Sequence, residues 1–199
     1  AIEGLVQNEI ERTFSLHRLS DTAGCHWYCR GGEVLISAGQ GISHLLSQIC
    51  NPLYSSSPRL WNELINRRNL SSQGAAARRN LLEAMLTKAD AEGLDIQGFP
   101  PERSMYASLL KASKIHRQDE SGRWVFGDPP VKDALGLHPV WQAFADFIFQ
   151  SPTVPRPIID LYAQLTAPPY GLTDGVLPIF LCAFHLVHSH ETTLYREDS

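Results

Sequence analysis

The sequence predicts a mainly α-helical protein with short β-hairpins, arranged as a pair of winged-helix-like units. Three observations lead there. Apolar residues recur at three- and four-residue steps in several separate segments. Two of those segments open with strong helix-start signals, a serine pair at Ser71-Ser72 and Pro101-Glu102. Directly after the second comes a polar turn, Gln118 to Gly122, flanked by short runs of aromatic and branched residues. Helix, loop, helix and hairpin is the order of a winged helix.

In chain order, Ile2, Leu5, Ile10 and Phe14 hint at a short helix, and His26 to Ile36 around Gly31-Gly32 reads as a hairpin. Leu45, Leu46, Ile49 and Leu53 share a helical face that Pro52 ends or bends. Ser55 to Pro58 gives a turn, and Leu60, Trp61, Leu64 and Ile65 predict a helix over Pro58 to Arg67. Ser71 or Ser72 is the expected N-cap of the next helix, a hydroxyl oxygen accepting from an orphan amide. That helix runs to about Ala89, with Leu81, Leu82, Met85, Leu86 and Ala89 on one face. After a loop from Gly93 to Pro100, the helix opened by Pro101 carries Met105, Tyr106, Leu109 and Leu110 inward. Ile115 to Arg117 and Arg123 to Phe126 form the hairpin.

Gly127 to Lys132 is a proline-bearing connector. Val140, Phe144, Phe147 and Ile148 mark a helix, and Pro157 to Ala167 another. A Pro-Pro-Tyr-Gly turn (Pro168 to Gly171) precedes a helix from about Asp174 to His190, and Thr193 to Arg196 reads as a strand. The organisation expected is therefore 1–57, a helix and hairpin segment; 58–132, a winged-helix-like unit; and 133–199, a second such unit with its hairpin cut short.

Composition bounds the function. The 199 residues are 43% hydrophobic and 19% charged, with formal net charge −4. That balance argues against wholesale coating of nucleic acid and leaves room for a local basic patch. No signal peptide is read, and the longest apolar run, Val176 to Val187, is shorter than the roughly 20 residues a membrane span takes. The opening Ala1-Ile2-Glu3 and the ending at Ser199 read as an excised segment of a larger cytoplasmic protein. Four cysteines are too sparse for a disulfide scaffold at this length, and a reducing compartment is expected.

Little of the sequence carries chemistry. Gly39-Gln40-Gly41 lacks the Gly-Lys-Ser/Thr ending that cradles phosphate. Cys25 and Cys29 bracket a His-Trp-Tyr triplet, but a structural zinc site needs a second pair that is missing. His185 and His188 lie three apart on a helix; they suit a metal or, more simply, the helix C-terminus. No nucleophile elbow or paired carboxylates in an apolar setting are found. The reading is a non-enzyme without cofactor or metal, the alternative being a metal-dependent enzyme using the two histidines.

The feature that stands out is basic. On the helix opened by Pro101, Arg103, Ala107, Lys111 and Lys114 fall along one outward stripe, with Ser104 and Ser108 beside it. A helix that enters a DNA groove needs cations for phosphates and small polar groups near base edges. Arg117 and Arg123 flank the hairpin turn, although Asp119 and Glu120 at its tip oppose them. Arg67, Arg68, Arg78 and Arg79 add to a cationic middle, against an acidic stretch from Asp160 onward. The partners expected are double-stranded DNA, the remainder of the parent protein and a second copy of the chain, with no membrane. A protein–protein or self-association module without a nucleic-acid role is the alternative.

Two stretches resemble a known family. One is Pro58-Arg59-Leu60-Trp61-Asn62-Glu63-Leu64-Ile65-Asn66-Arg67-Arg68-Asn69-Leu70-Ser71-Ser72, continuing into the Ala-Ala-Ala-Arg-Arg helix. The other runs from Ala167-Pro168-Pro169-Tyr170-Gly171-Leu172 through Asp174-Gly175-Val176-Leu177-Pro178. They are similar to a region downstream of the nucleotide-binding core in very large bacterial ATPases of phage-resistance systems, the BREX and Pgl type. The likeness covers roughly residues 40–199 and rests on turns and caps. It implies an accessory arm of a cytoplasmic defence complex acting around DNA. The family's ATPase motifs are absent here, so no catalytic residue carries over.

Overall fold

The computed structural model describes residues 5–6, 27–29, 31–34, 42–67, 69–150 and 155–195. The expected helix around Ile2 to Phe14 lies outside them almost entirely. The chain divides into two compact units, Ala1–Ser55 and Ser56–Ser199. The first holds β1 (Trp27–Cys29) and β2 (Gly32–Val34), paired antiparallel with Tyr28 opposite Glu33. It also holds α1 (Ile42–Leu53), which keeps Pro52 in its last turn.

The second unit begins with a correction. Residues 58–67 form no helix; the chain has no regular structure as far as Asn62 and then turns. Asn62 decides this, because its side chain accepts from the Leu64 amide at 3.1 Å while its carbonyl takes the Ile65 and Asn66 amides. Such local side-chain bonding offers the backbone an alternative to helix. Upstream, the Arg59 amide is tied to the Leu135 carbonyl at 2.8 Å. Trp61, one of the apolar residues that predicted the helix, is 84% exposed.

The helices that follow obey their signals more closely. Helix α2 spans Ser72–Thr87, and Ser71 is its N-cap, its hydroxyl accepting from the Gly74 amide at 3.1 Å. Its buried stripe is narrower than expected: Leu81 and Met85 are fully buried, but Leu86 is exposed. A 3₁₀ turn at Glu92–Asp95 buries Leu94 in a left-handed conformation, φ +57°. Helix α3 (Pro101–Tyr106) places proline in its first turn and continues as a π-turn through Ala107–Lys111. Met105, Tyr106, Leu109 and Leu110 all point into the core. The chain then leaves the helix at Lys114, φ +58°.

Strands β3 (His116–Gln118) and β4 (Trp124–Phe126) pair antiparallel, Arg117 opposite Val125. Asp119 builds the turn between them, accepting from the amides of Ser121 and Arg123, both at 2.9 Å. These bonds hold its exposed carboxyl down at about 2, the Ser121 hydroxyl (2.6 Å) contributing most.

Three helices complete the unit: α4 (His138–Phe149), α5 (Ile158–Thr166) and α6 (Leu177–Val187). Residues 193–195 form no strand; Thr192, just before them, is bonded back to the His188 carbonyl at 2.9 Å. Helix α6, apolar on most sides, packs against α2 and α4. Its Ile179, Phe180, Ala183 and Phe184 are fully buried. They belong to one core with Ile65, Leu81, Met105 and Phe144, so segments 58–132 and 133–199 share a single hydrophobic interior. The described residues are thus mainly helical, with two small antiparallel sheets of two strands each. No described helix is long and apolar enough to cross a membrane.

Candidate nucleic-acid interface

The outward side of α3 and its π-turn is where the sequence places a DNA-facing stripe. Arg103, Ser104, Ala107, Lys111 and Lys114 are indeed exposed, and Ser108 is half-buried. The row itself is broken. In the π-turn the Ala112 amide reaches back five residues to the Ala107 carbonyl (3.2 Å). The wider turn offsets Lys111 and Lys114 from the line through Arg103 and Ala107.

Several members of the stripe are committed to the fold. The Asn62 amide donates to Ser108 Oγ at 2.9 Å and to Ser104 Oγ at 3.3 Å. Ser108 in turn donates to the Ser104 carbonyl at 2.9 Å. Both hydroxyls therefore clamp the 58–65 segment onto α3. Asn62 itself is 7% exposed, and leaving it unpaired there would be costly. Arg103 donates to the Ile96 carbonyl, closing the loop in front of its own helix.

The hairpin arginines are similarly engaged. Arg117 donates to the carbonyls of Lys114 (2.6 Å) and Asp128 (3.0 Å), fastening the helix end and the connector to β3. Its guanidinium lies against Gly127, where a Cβ would meet it at 2.7 Å. Arg123 pairs with Asp119 at 3.1 Å, which cancels much of the charge at the turn.

The cations upstream do not gather on this face. Arg78 donates to the Asp174 and Gly175 carbonyls at 3.2 and 3.4 Å, holding the loop before α6. Asn80 meets Glu102 at 3.3 Å, and the neighbouring Arg79, one step around α2, is exposed. Arg67 lies 4.0 Å from the almost fully exposed Glu63, an ion pair of little energetic weight. Arg68 falls outside the described residues. Of the predicted interface, Lys111, Lys114 and Arg79 remain as side chains without a hydrogen bond or ion pair among the described residues.

Two residues that sequence reasoning passed over organise the neighbourhood. Asn62 is one. The other is His116, 1% exposed in β3. Its Nε2 lies 2.9 Å from the Ala89 carbonyl and its Nδ1 2.9 Å from the Tyr106 hydroxyl. A carbonyl only accepts, so Nε2 carries the proton, and the neutral ring accepts from Tyr106 at Nδ1. Trp124 stacks on the ring with centroids 5.1 Å apart, and Phe126 lies 4.8 Å away. One imidazole thus joins the end of α2, helix α3 and both strands. The only hint in the sequence is a histidine beside Ile115 with aromatic residues across the turn.

Burial pushes the His116 pKa below its ordinary 6.5, only partly offset by its bond to Ala89. Below pH 6.5 the unfolded chain takes up a proton that the folded one refuses. Stability therefore falls as pH drops through that value and levels once the folded ring also titrates. Urea denaturation at a series of pH values checks this. The loss between about pH 7.5 and 5.5 is expected to shrink in His116→Gln; an identical pH profile would refute the assignment.

The remaining titratable clusters among the described residues make local contacts. His188 sits between Asp128 (Nε2, 3.3 Å) and Glu191 (Nδ1, 3.0 Å), while His185 Nδ1 meets Thr192 Oγ1 at 2.8 Å. The Trp141 indole donates to the same Asp128 at 2.7 Å. These contacts tie the end of α6 to the connector. Among the described residues no group of three or more His, Cys, Asp or Glu is placed to hold a metal ion. Burial raises the Cys182 thiol to about 11, which leaves it a poor nucleophile. No family model, curated protein or solved structure matches the chain.

Proposed function

We propose that this chain is a non-catalytic, winged-helix-like interaction module of a larger phage-resistance ATPase of the BREX or Pgl type. Its Ser56–Ser199 unit contacts double-stranded DNA along the phosphate backbone. The observation that carries this reading is the pair Lys111 and Lys114, exposed at the end of α3 and beside a hairpin that Arg117 fastens to the helix. The order α2, α3, β3, β4 supports the winged-helix description. Ser108 spends its hydroxyl on Asn62 and the Ser104 carbonyl, and Ser104 accepts from Asn62, so little of this pair is left to read bases. Contact without sequence preference is what such a surface provides, since phosphates fix position and base edges carry the code.

Titration of the chain with labelled duplex at about 50 mM and about 200 mM salt tests the proposal. Binding is expected at the lower salt, weakened several-fold by Lys111→Glu with Lys114→Glu and equal for unrelated sequences. Each lost phosphate contact should flatten the salt slope by about 0.9. No binding at low salt, or an unchanged variant, refutes it. A second reading, a protein-facing or self-associating surface, is favoured by the exposed Phe149, Ile159, Leu194 and Tyr195. Light scattering that gives a concentration-dependent mass would support that reading; a strict monomer would count against self-association.

A further inference from the structure

A shallow cleft of about 330 Å³ lies beside residues 57–61, at the small end of the usual ligand-site range. Ser57, Arg59, Trp61, Asn66, Gly171 and Thr173 contribute to its wall. Trp61 presents its indole to solvent, 84% exposed on a segment that is otherwise well anchored. The anchors are the Arg59 amide on Leu135 (2.8 Å), the Ser56 amide on Pro169 (3.1 Å) and the Leu172 amide on Leu165 (2.9 Å). Such a platform loses little conformational freedom when something stacks on it.

The polar groups around the indole have spare capacity. The Arg59 guanidinium has no hydrogen bond or ion pair among the described residues. Asn66 spends one amide hydrogen on a long 3.4 Å bond to the Leu60 carbonyl and keeps its oxygen free. No carboxylate lines the cleft. A flat aromatic face, a cation and a side-chain amide together match a nucleobase with its phosphate. Stacking takes the ring, the guanidinium takes the charge, and the amide meets a base edge. Bases inside a duplex are already stacked and cannot lie on an exposed indole. An aromatic peptide side chain by itself would use the ring but neither polar group, and an acidic neighbour would be needed to meet Arg59.

We infer that the Trp61 cleft binds single-stranded nucleic acid, one base stacked on the indole and an adjoining phosphate on Arg59. Neither Lys111 nor Lys114 lines this cleft, so substitutions at the two places are read apart.

Fluorescence anisotropy of labelled oligo-dT with the full chain at about 50 mM salt is the test. Trp61→Ala should weaken binding by about tenfold or more, the loss of one stacked base, while Trp61→Phe retains most of it. Arg59→Ala should lower the salt slope by about 0.7. Lys111→Glu with Lys114→Glu should weaken duplex binding more than oligo-dT binding, and Trp61→Ala should weaken oligo-dT binding more than duplex binding. Absence of oligo-dT binding, equal affinity in Trp61→Ala, or displacement by an acidic aromatic peptide at matching concentration would overturn the inference.

Discussion

Phe184→Ala is expected to lower the unfolding free energy by about 3–5 kcal/mol, the usual cost of emptying a buried aromatic site. Phe184 is 0% exposed and sits at the meeting point of four rings. Trp141, Phe144, Phe149 and His188 lie 5.1, 5.6, 6.0 and 4.4 Å from it by centroid. These rings come from α4 and from the end of α6 itself. The void cannot close by moving one side chain, because α6 is packed against α2 on another flank. Urea denaturation should show a lower midpoint with an unchanged slope. A loss below about 1 kcal/mol would mean that α6 is not the centre of this core.

The second large effect is expected at Gly175, in the loop that leads into α6. Gly175 is buried, and a Cβ there would be driven into the Ile65 carbonyl oxygen, with Leu70 Cδ2 at 3.0 Å. The obstacle is backbone, held by Thr173 Oγ1 donating to the same carbonyl at 3.3 Å, so it cannot swing aside as a long side chain would. Gly175→Ala should cost about 2–3 kcal/mol, at the upper end for overpacking, and Gly175→Val should abolish cooperative unfolding. Melting followed by circular dichroism reads both. A neutral Gly175→Ala would show that Ile65 and Leu70 do not touch the α6 loop as described.

How far the fold was legible depended on where each signal lived. Helix α2 could be read because cap and periodicity agreed, Ser71 standing ahead of Leu81 and Met85, and α4 and α6 from their apolar residues alone. The hairpin at 116–126 was legible from Asp119 and Gly122 between short aromatic runs. Residues 58–67 misled because Leu60, Trp61, Leu64 and Ile65 are spaced like a helix face. The side chain of Asn62 overrides that spacing by bonding locally and across to α3. Likewise, Thr193 to Tyr195 have strand-like residues but no partner strand among the described residues.

The candidate face divides in the same way. That Lys111 and Lys114 look outward follows from Leu109 and Leu110 looking inward, which periodicity gives. That Arg78, Arg103 and Arg117 spend themselves on carbonyls does not, since a cation bound to distant backbone has the same sequence as one in water. The π-turn leaves no mark either, and it is what breaks the row of four-residue steps. A buried histidine bridging three elements is equally silent until the strands are in place.

Mapping which backbone amides shift when duplex DNA is added to the isotopically labelled chain tests the proposed function most directly. Shifts concentrated from Ala107 to Arg117 and fading as salt is raised are the predicted result. Saturating duplex that leaves those amides unmoved, or that moves residues elsewhere, would contradict it.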